Sequence, residues 1–142
     1  MANIRGKRIL LAEDNELNRE IVVELLSMFN ITAVCAVNGR EAVERFETDP
    51  PGTYALILMD IQMPVMDGYT AASAIRSLGK TGRRPDGTGI PIIALTANAF
   101  ADDVYRAKQA GMDEHVTKPL EISRLLEIMP RYLDVPARNR TE

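Results

Sequence analysis

Five side chains in this 142-residue chain could do chemistry together: the carboxylates of Glu13, Asp14 and Asp60, the hydroxyl of Thr96 and the ammonium of Lys118. The acids and Thr96 stand just beyond short apolar runs, and Lys118 follows a weaker strand candidate. Carboxylates drawn into one crevice repel: at an effective dielectric near 20, two charges about 4 Å apart interact by roughly 4 kcal/mol. A hard divalent cation resolves this best, and Mg²⁺ takes one or two carboxylates plus waters and phosphate oxygens rather than a full protein cage. A lysine and a hydroxyl beside the acids suit a phosphoryl group better than any other common ligand. A carboxylate can itself be the nucleophile, forming an aspartyl phosphate while the metal screens one anion from another. Asp60 is the natural candidate, because it ends what reads as the central strand.

Those residues meet only if the fold brings distant segments together. Three apolar runs, Arg8–Ala12, Tyr54–Met59 and Pro91–Leu95, are unbroken rather than alternating, as strands buried on both faces should be. Thr32–Val37 and Asp113–Thr117 are weaker strand candidates. Helices are expected over Glu16–Phe29, Glu41–Thr48, Tyr69–Leu78, Ala99–Ala110 and Leu120–Leu133, with Asn38-Gly39 and Asp67-Gly68 opening the second and third and Gly111 ending the fourth. On the first helix, Leu17, Ile21, Leu25 and Met28 make the stripe expected to face the core, and Val22, Leu26 and Phe29 extend the apolar arc beyond it. On the last, Ile122, Leu125, Leu126, Met129 and Leu133 form the apolar stripe. Strict strand–helix alternation predicts an α/β fold: a doubly wound five-stranded parallel sheet of order 2-1-3-4-5 with five flanking helices. In such a sheet, ligands bind beyond the carboxyl ends of the strands where the order reverses. Glu13-Asp14 and Asp60 fall on that crevice. The glycine-rich stretch Gly79–Gly89 is expected to be a solvated loop.

The motifs resemble the response-regulator receiver family: Leu11-Ala12-Glu13-Asp14-Asn15, Met59-Asp60-Ile61-Gln62-Met63-Pro64-Val65-Met66-Asp67-Gly68, Leu95-Thr96-Ala97 and Thr117-Lys118-Pro119, in order and on the predicted strand ends. The resemblance covers Lys7 to about Leu133, with a lead over 1–6, a receiver domain over 7–134 and a tail over 135–142. It implies that Asp60 is phosphorylated, that Glu13 and Asp14 hold Mg²⁺ (or Mn²⁺) with Asp60, and that Gln62 adds its backbone carbonyl. Lys118 would contact the phosphoryl oxygens. Thr96 would donate to them as the switch, with the small Ala97 leaving it room, and the Lys118–Pro119 bond would be cis. The switch position three before Lys118, usually aromatic, holds His115, the chain's one histidine; its competing readings are a phosphohistidine donor and a strand-end residue on the output surface. Gln62 and Asn98 stand where the family tunes phosphate loss. The style is most similar to the receivers of hybrid sensor histidine kinases, so a histidine kinase or a histidine phosphotransfer domain is the expected partner, docking beside Asp60 on Asn18, Val22 and Leu26. The domain would be no enzyme in the ordinary sense, catalysing only its own phosphotransfer and slow autodephosphorylation.

Composition agrees. A balance of 17 Lys+Arg against 20 Asp+Glu, net −3, disfavours nucleic acid and anionic lipid. The single cysteine, Cys35, reads as core filling and rules out an internal disulfide or a cysteine-based metal cluster. Neither a signal peptide nor a membrane span is visible, so a cytoplasmic protein, or the cytoplasmic part of a membrane-anchored sensor kinase, is expected, with a monomer favoured. Rival chemistries fare less well. A phosphate loop around Gly79-Lys80-Thr81 needs a glycine where Ala74 stands. An aspartate-based metal phosphatase would want a second acid where Gln62 stands, and a flavodoxin-like carrier would place a cofactor phosphate against the acids. A receiver that binds partners without phosphorylation would not need all five site positions intact.

Overall fold

The computed structural model describes residues 6–97, 101–118 and 122–133. In chain order the elements are β1 (Arg8–Ala12), α1 (Glu16–Ser27), β2 (Thr32–Ala36), α2 (Gly39–Thr48), β3 (Leu56–Asp60) and α3 (Gly68–Lys80). A 3₁₀ turn over Pro85–Gly87 follows, then β4 (Ile92–Thr96), α4 (Ala101–Gln109), β5 (Glu114–Thr117) and α5 (Ile122–Leu133). The strands form one parallel sheet in the expected order β2-β1-β3-β4-β5. The 98–100 connection, Asn98 included, the Lys118–Pro119 bond and the tail lie outside the described residues. No described helix is long and apolar enough to cross a membrane.

Alternation along the three central strands builds two apolar layers. Leu10, Ala12, Ile57, Met59, Ile92 and Ala94 face a layer with Phe46 of α2, Ile75 of α3 and Ala107 of α4. Ile9, Leu11, Leu56, Leu58, Ile93 and Leu95 face the other, with Val22 and Leu26 of α1 and Leu125, Ile128 and Met129 of α5. Burial on both faces explains the unbroken apolar runs of β1, β3 and β4. The two weaker sequence signals, β2 and β5, are the sheet edges and are only partly buried.

Two expectations are corrected. On α1, three of the four residues predicted to face the core are outside, with Leu17 63%, Ile21 47% and Met28 70% exposed and Leu25 half-buried, whereas Val22 (4%) and Leu26 (0%), expected on the partner surface, are buried. Both stripes have helical spacing, so periodicity alone does not say which faces the sheet. The turn after the helix decides it. Phe29 and Ile31 donate backbone hydrogen bonds to the Leu26 carbonyl at 3.0 and 3.1 Å, and Asn30 takes a positive φ of 62°, returning the chain into β2 with Ile31 in the same apolar layer as Val22 and Leu26.

The Gly79–Gly89 segment is not simply a solvated loop. Arg84 is 7% exposed; its guanidinium donates to the carbonyls of Phe46, Glu47 and Asp49 at the end of α2, pairs with Asp86 at 2.9 Å and lies over the Phe46 ring at 4.6 Å. It satisfies helix-end carbonyls that would otherwise lack a partner. A Cβ on Gly87 would sit 2.4 Å from the Ile75 carbonyl oxygen, so here glycine permits close packing rather than looseness.

Candidate functional site

Register sets the site. Ala12 pairs with Met59, Asp60 with Leu95 and Thr96 with Thr117. Glu13, one residue past β1, therefore comes level with Asp60, while Thr96 and then Lys118 follow at the ends of the next strands. The crevice between β1 and β3 is where the strand order reverses.

Asp60 is 3% exposed and Glu13 1%, while Asp14 is exposed. One carboxylate oxygen from each of the three lies within 4.8 Å of the others. Lys118 reaches across from β5, its Nζ 2.9 Å from Asp60 Oδ2 and 3.1 Å from Glu13 Oε1. Asp60 Oδ1 accepts from the Gln62 amide at 3.3 Å, and Glu13 Oε2 from the Asn15 amide at 3.1 Å. Thr96, 6% exposed, ends β4, and its carbonyl accepts from the Lys118 amide at 2.8 Å.

Electrostatics at the site are opposed. Burial pushes the Asp60 carboxyl from 3.8 up to about 6; the Lys118 hydrogen bond pulls it back, and the Glu13 charge pushes it further up. Burial alone would depress Lys118, yet its hydrogen bonds and charge attraction with Asp60 and Glu13 hold it raised. The asymmetry is physical: Lys118 has two anionic partners, whereas Asp60 has one cation and one repelling neighbour. Three carboxylates against one ammonium leave uncompensated negative charge on hard oxygen donors, a set that fits a divalent cation such as Mg²⁺.

The β3–α3 turn closes the floor. The Gly68 amide donates to the Ile61 carbonyl at 2.8 Å, and a Cβ on Gly68 would lie 2.3 Å from the Asp60 carbonyl oxygen, so no larger residue fits against the strand end. Asp67 caps α3, its side chain accepting from the Thr70 amide at 2.8 Å. Val65 sits in the left-handed region at φ 70°, where a β-branched residue is strained.

Of the residues singled out from sequence, Glu13, Asp14, Asp60, Thr96 and Lys118 converge. Gln62 and Ala97 line an adjoining cavity of about 190 Å³ with Thr96, Tyr69 and Arg106. His115 lies back along β5 beside Ala94, half-buried, rather than among the strand ends. Asn18 is half-buried on α1, its amide bonded to the capping Asn15 side chain at 2.9 Å. Sequence reasoning passed over three residues. Tyr69 and Arg106 join α3 to α4 at the cavity wall: the guanidinium is 4.3 Å from the Tyr69 ring centroid, and the Tyr69 hydroxyl donates to the Asp103 carbonyl at 3.3 Å. Arg19 donates from Nη1 to the Glu13 carbonyl at 2.8 Å. A lone arginine on an amphipathic helix carries no sequence signal for such a role, though its place four residues after the cap was visible.

Known proteins resemble this chain in sequence and fold. The family described as the response regulator receiver domain matches residues 9–129. The hybrid signal transduction protein dokA of Dictyostelium discoideum is 39% identical over 127 residues, covering 89% of this chain and 7% of dokA. The peroxide stress-activated histidine kinase mak1 of Schizosaccharomyces pombe is 37% identical over 129 residues, 91% of this chain and 8% of mak1. The chain thus spans a small part of these relatives. Among solved structures, the receiver domain of a sensor histidine kinase from Pseudomonas aeruginosa PAO1, with a magnesium ion coordinated in its active site cleft, aligns with TM-score 0.79 at 35% identity over 92% of this chain and 99% of that one. A co-crystal of the Saccharomyces cerevisiae histidine phosphotransfer protein Ypd1 with the receiver domain of its downstream response regulator Ssk1 aligns with TM-score 0.80 at 30% identity, covering 91% of this chain and 90% of the matched one. A family match over most of the chain and relatives well above 30% identity agree with the 2-1-3-4-5 sheet, and the chain belongs to the response regulator receiver domain family.

Proposed function

We propose that this domain accepts a phosphoryl group from a phosphohistidine onto Asp60 in a Mg²⁺-dependent reaction and signals by a conformational switch. The observation that carries the reading is the buried Asp60 carboxylate, held between Lys118 at 2.9 Å and the acids of β1. A carboxylate oxygen of Asp60 attacks phosphorus, the P–N bond breaks, and its electron pair returns to the imidazole nitrogen. Glu13, Asp14, Asp60 and the Gln62 carbonyl would hold Mg²⁺, with Mn²⁺ a second candidate of the same oxygen preference. When bound, the ion neutralises the acids and the incoming phosphoryl oxygens.

The remaining work falls to this chain's side chains. Lys118 exchanges its contact with Asp60 for one with a phosphoryl oxygen, charge for charge. Thr96 donates its hydroxyl to another, and the small Ala97 leaves space for that movement. His115 holds the switch position on β5, beside Ala94 and set back from the strand ends. Slow autodephosphorylation belongs to the same proposal; Gln62, two residues after the acceptor, is polar but not acidic.

The partner is a histidine phosphotransfer domain or a histidine kinase. Its docking face is the exposed apolar stripe of α1, Leu17, Ile21 and Met28, beside Asn18; the Ypd1–Ssk1 receiver structure supports a partner of this kind. A relay of this type has a cytoplasmic setting. The test is intact-mass spectrometry after incubation with acetyl phosphate. One Mg²⁺-dependent phosphate adduct, absent in Asp60→Asn, is expected, whereas catalytic release of phosphate with no adduct would favour a phosphatase.

A further inference from the structure

We infer that Arg19 is a positioning residue for the metal-holding acidic turn, an inference that rests on the receiver reading above. The turn from β1 into α1 must send the Glu13 carboxylate inward and the Asp14 carboxylate toward solvent. Every polar group of Glu13 is engaged in doing so. Its amide donates to the Ala36 carbonyl at 3.0 Å, its carboxylate takes the Asn15 amide at 3.1 Å and Lys118 at 3.1 Å, and its carbonyl takes Arg19 Nη1 at 2.8 Å. That carbonyl belongs to the rigid peptide plane joining Glu13 to Asp14. Fixing its direction fixes where the Asp14 side chain begins. Arg19 is half-buried, and its own amide bonds the Asn15 carbonyl at 3.0 Å in the first turn of α1, so the helix holds the guanidinium in place while the guanidinium holds the turn.

Charge and position make opposite demands on this residue. A guanidinium near the acids repels an incoming cation, so removing its charge alone would tighten Mg²⁺ binding. Removing the donor to the Glu13–Asp14 peptide would loosen it, as loss of partners behind metal ligands does. The sign of the effect separates the two.

The experiment is calorimetric Mg²⁺ titration of the full chain as wild type, Arg19→Met and Arg19→Lys, with exchange rates of the Asp14 and Asn15 amides measured in EDTA. The expected result for Arg19→Met is about tenfold weaker Mg²⁺ binding, faster exchange at those two amides without metal, and a phosphorylation rate recovered at saturating Mg²⁺; Arg19→Lys falls between. Mg²⁺ binding by Arg19→Met as tight as wild type or tighter, in a protein whose wild type binds the ion and takes a phosphoryl group, overturns the positioning role. A wild type that does neither overturns the receiver reading instead.

Discussion

The residue proposed to take the phosphoryl group is held in a state it does not favour. Asp60 is almost fully buried beside Glu13, and Lys118 only partly offsets the desolvation that lifts its carboxyl to about 6. Without metal, the folded protein therefore binds this proton more tightly than the unfolded chain. The stability Asp60 contributes is fully present below its ordinary value of 3.8 and is lost as pH rises through about 6. Replacing the acid removes that loss. In EDTA at pH 7, Asp60→Asn is expected to be more stable than wild type by on the order of 2 kcal/mol, with a flatter profile between about pH 4 and 6. Urea unfolding across that range checks it. A less stable Asp60→Asn at pH 7 would mean that the Lys118 contact outweighs burial. Added Mg²⁺ should stabilise wild type more than the variant, because only wild type keeps all three carboxylates.

At the scale of elements, the central strands were readable because burial on both faces writes itself as an unbroken apolar run; the acids and Thr96 stood at the ends of those runs, and Lys118 followed the weaker edge-strand signal of β5. Strand ends are short-range information. The rotation of α1 is not, because Leu17–Ile21–Met28 and Val22–Leu26–Phe29 are both apolar arcs of helical spacing, and the choice rests on how the 29–31 turn packs Ile31 beside Leu26. Arg84 was missed for a related reason: its partners are the carbonyls of Phe46, Glu47 and Asp49, far away in sequence. The rotation of α1 has a measurable consequence. The double substitution Leu17→Ala, Ile21→Ala should change stability by less than about 0.5 kcal/mol, whereas Leu26→Ala should cost about 2–5 kcal/mol. Transfer from a phosphorylated histidine phosphotransfer domain should slow about tenfold or more in the double variant, since it alone removes exposed anchors. Comparable destabilisation in both would place Leu17 and Ile21 in the core and contradict the assigned rotation.

For the whole molecule, the sheet order is what turns scattered residues into a site. With β1 between β2 and β3, the chain reverses direction across the sheet at the ends of β1 and β3, and the parallel register brings the neighbouring strand ends level with them. Two apolar layers, one on each face, hold that arrangement while the acidic loops stay at one end. The curated relatives carry this unit as 7% and 8% of much longer signalling proteins. The measurement closest to the central claim locates the phosphoryl group itself. The chain is phosphorylated with acetyl phosphate and Mg²⁺, reduced with borohydride, which converts an acyl phosphate to an alcohol, and mapped by tandem mass spectrometry. Homoserine at position 60 and nowhere else is the predicted result; an unreduced Asp60 with the phosphate on His115 or any other side chain would contradict the account.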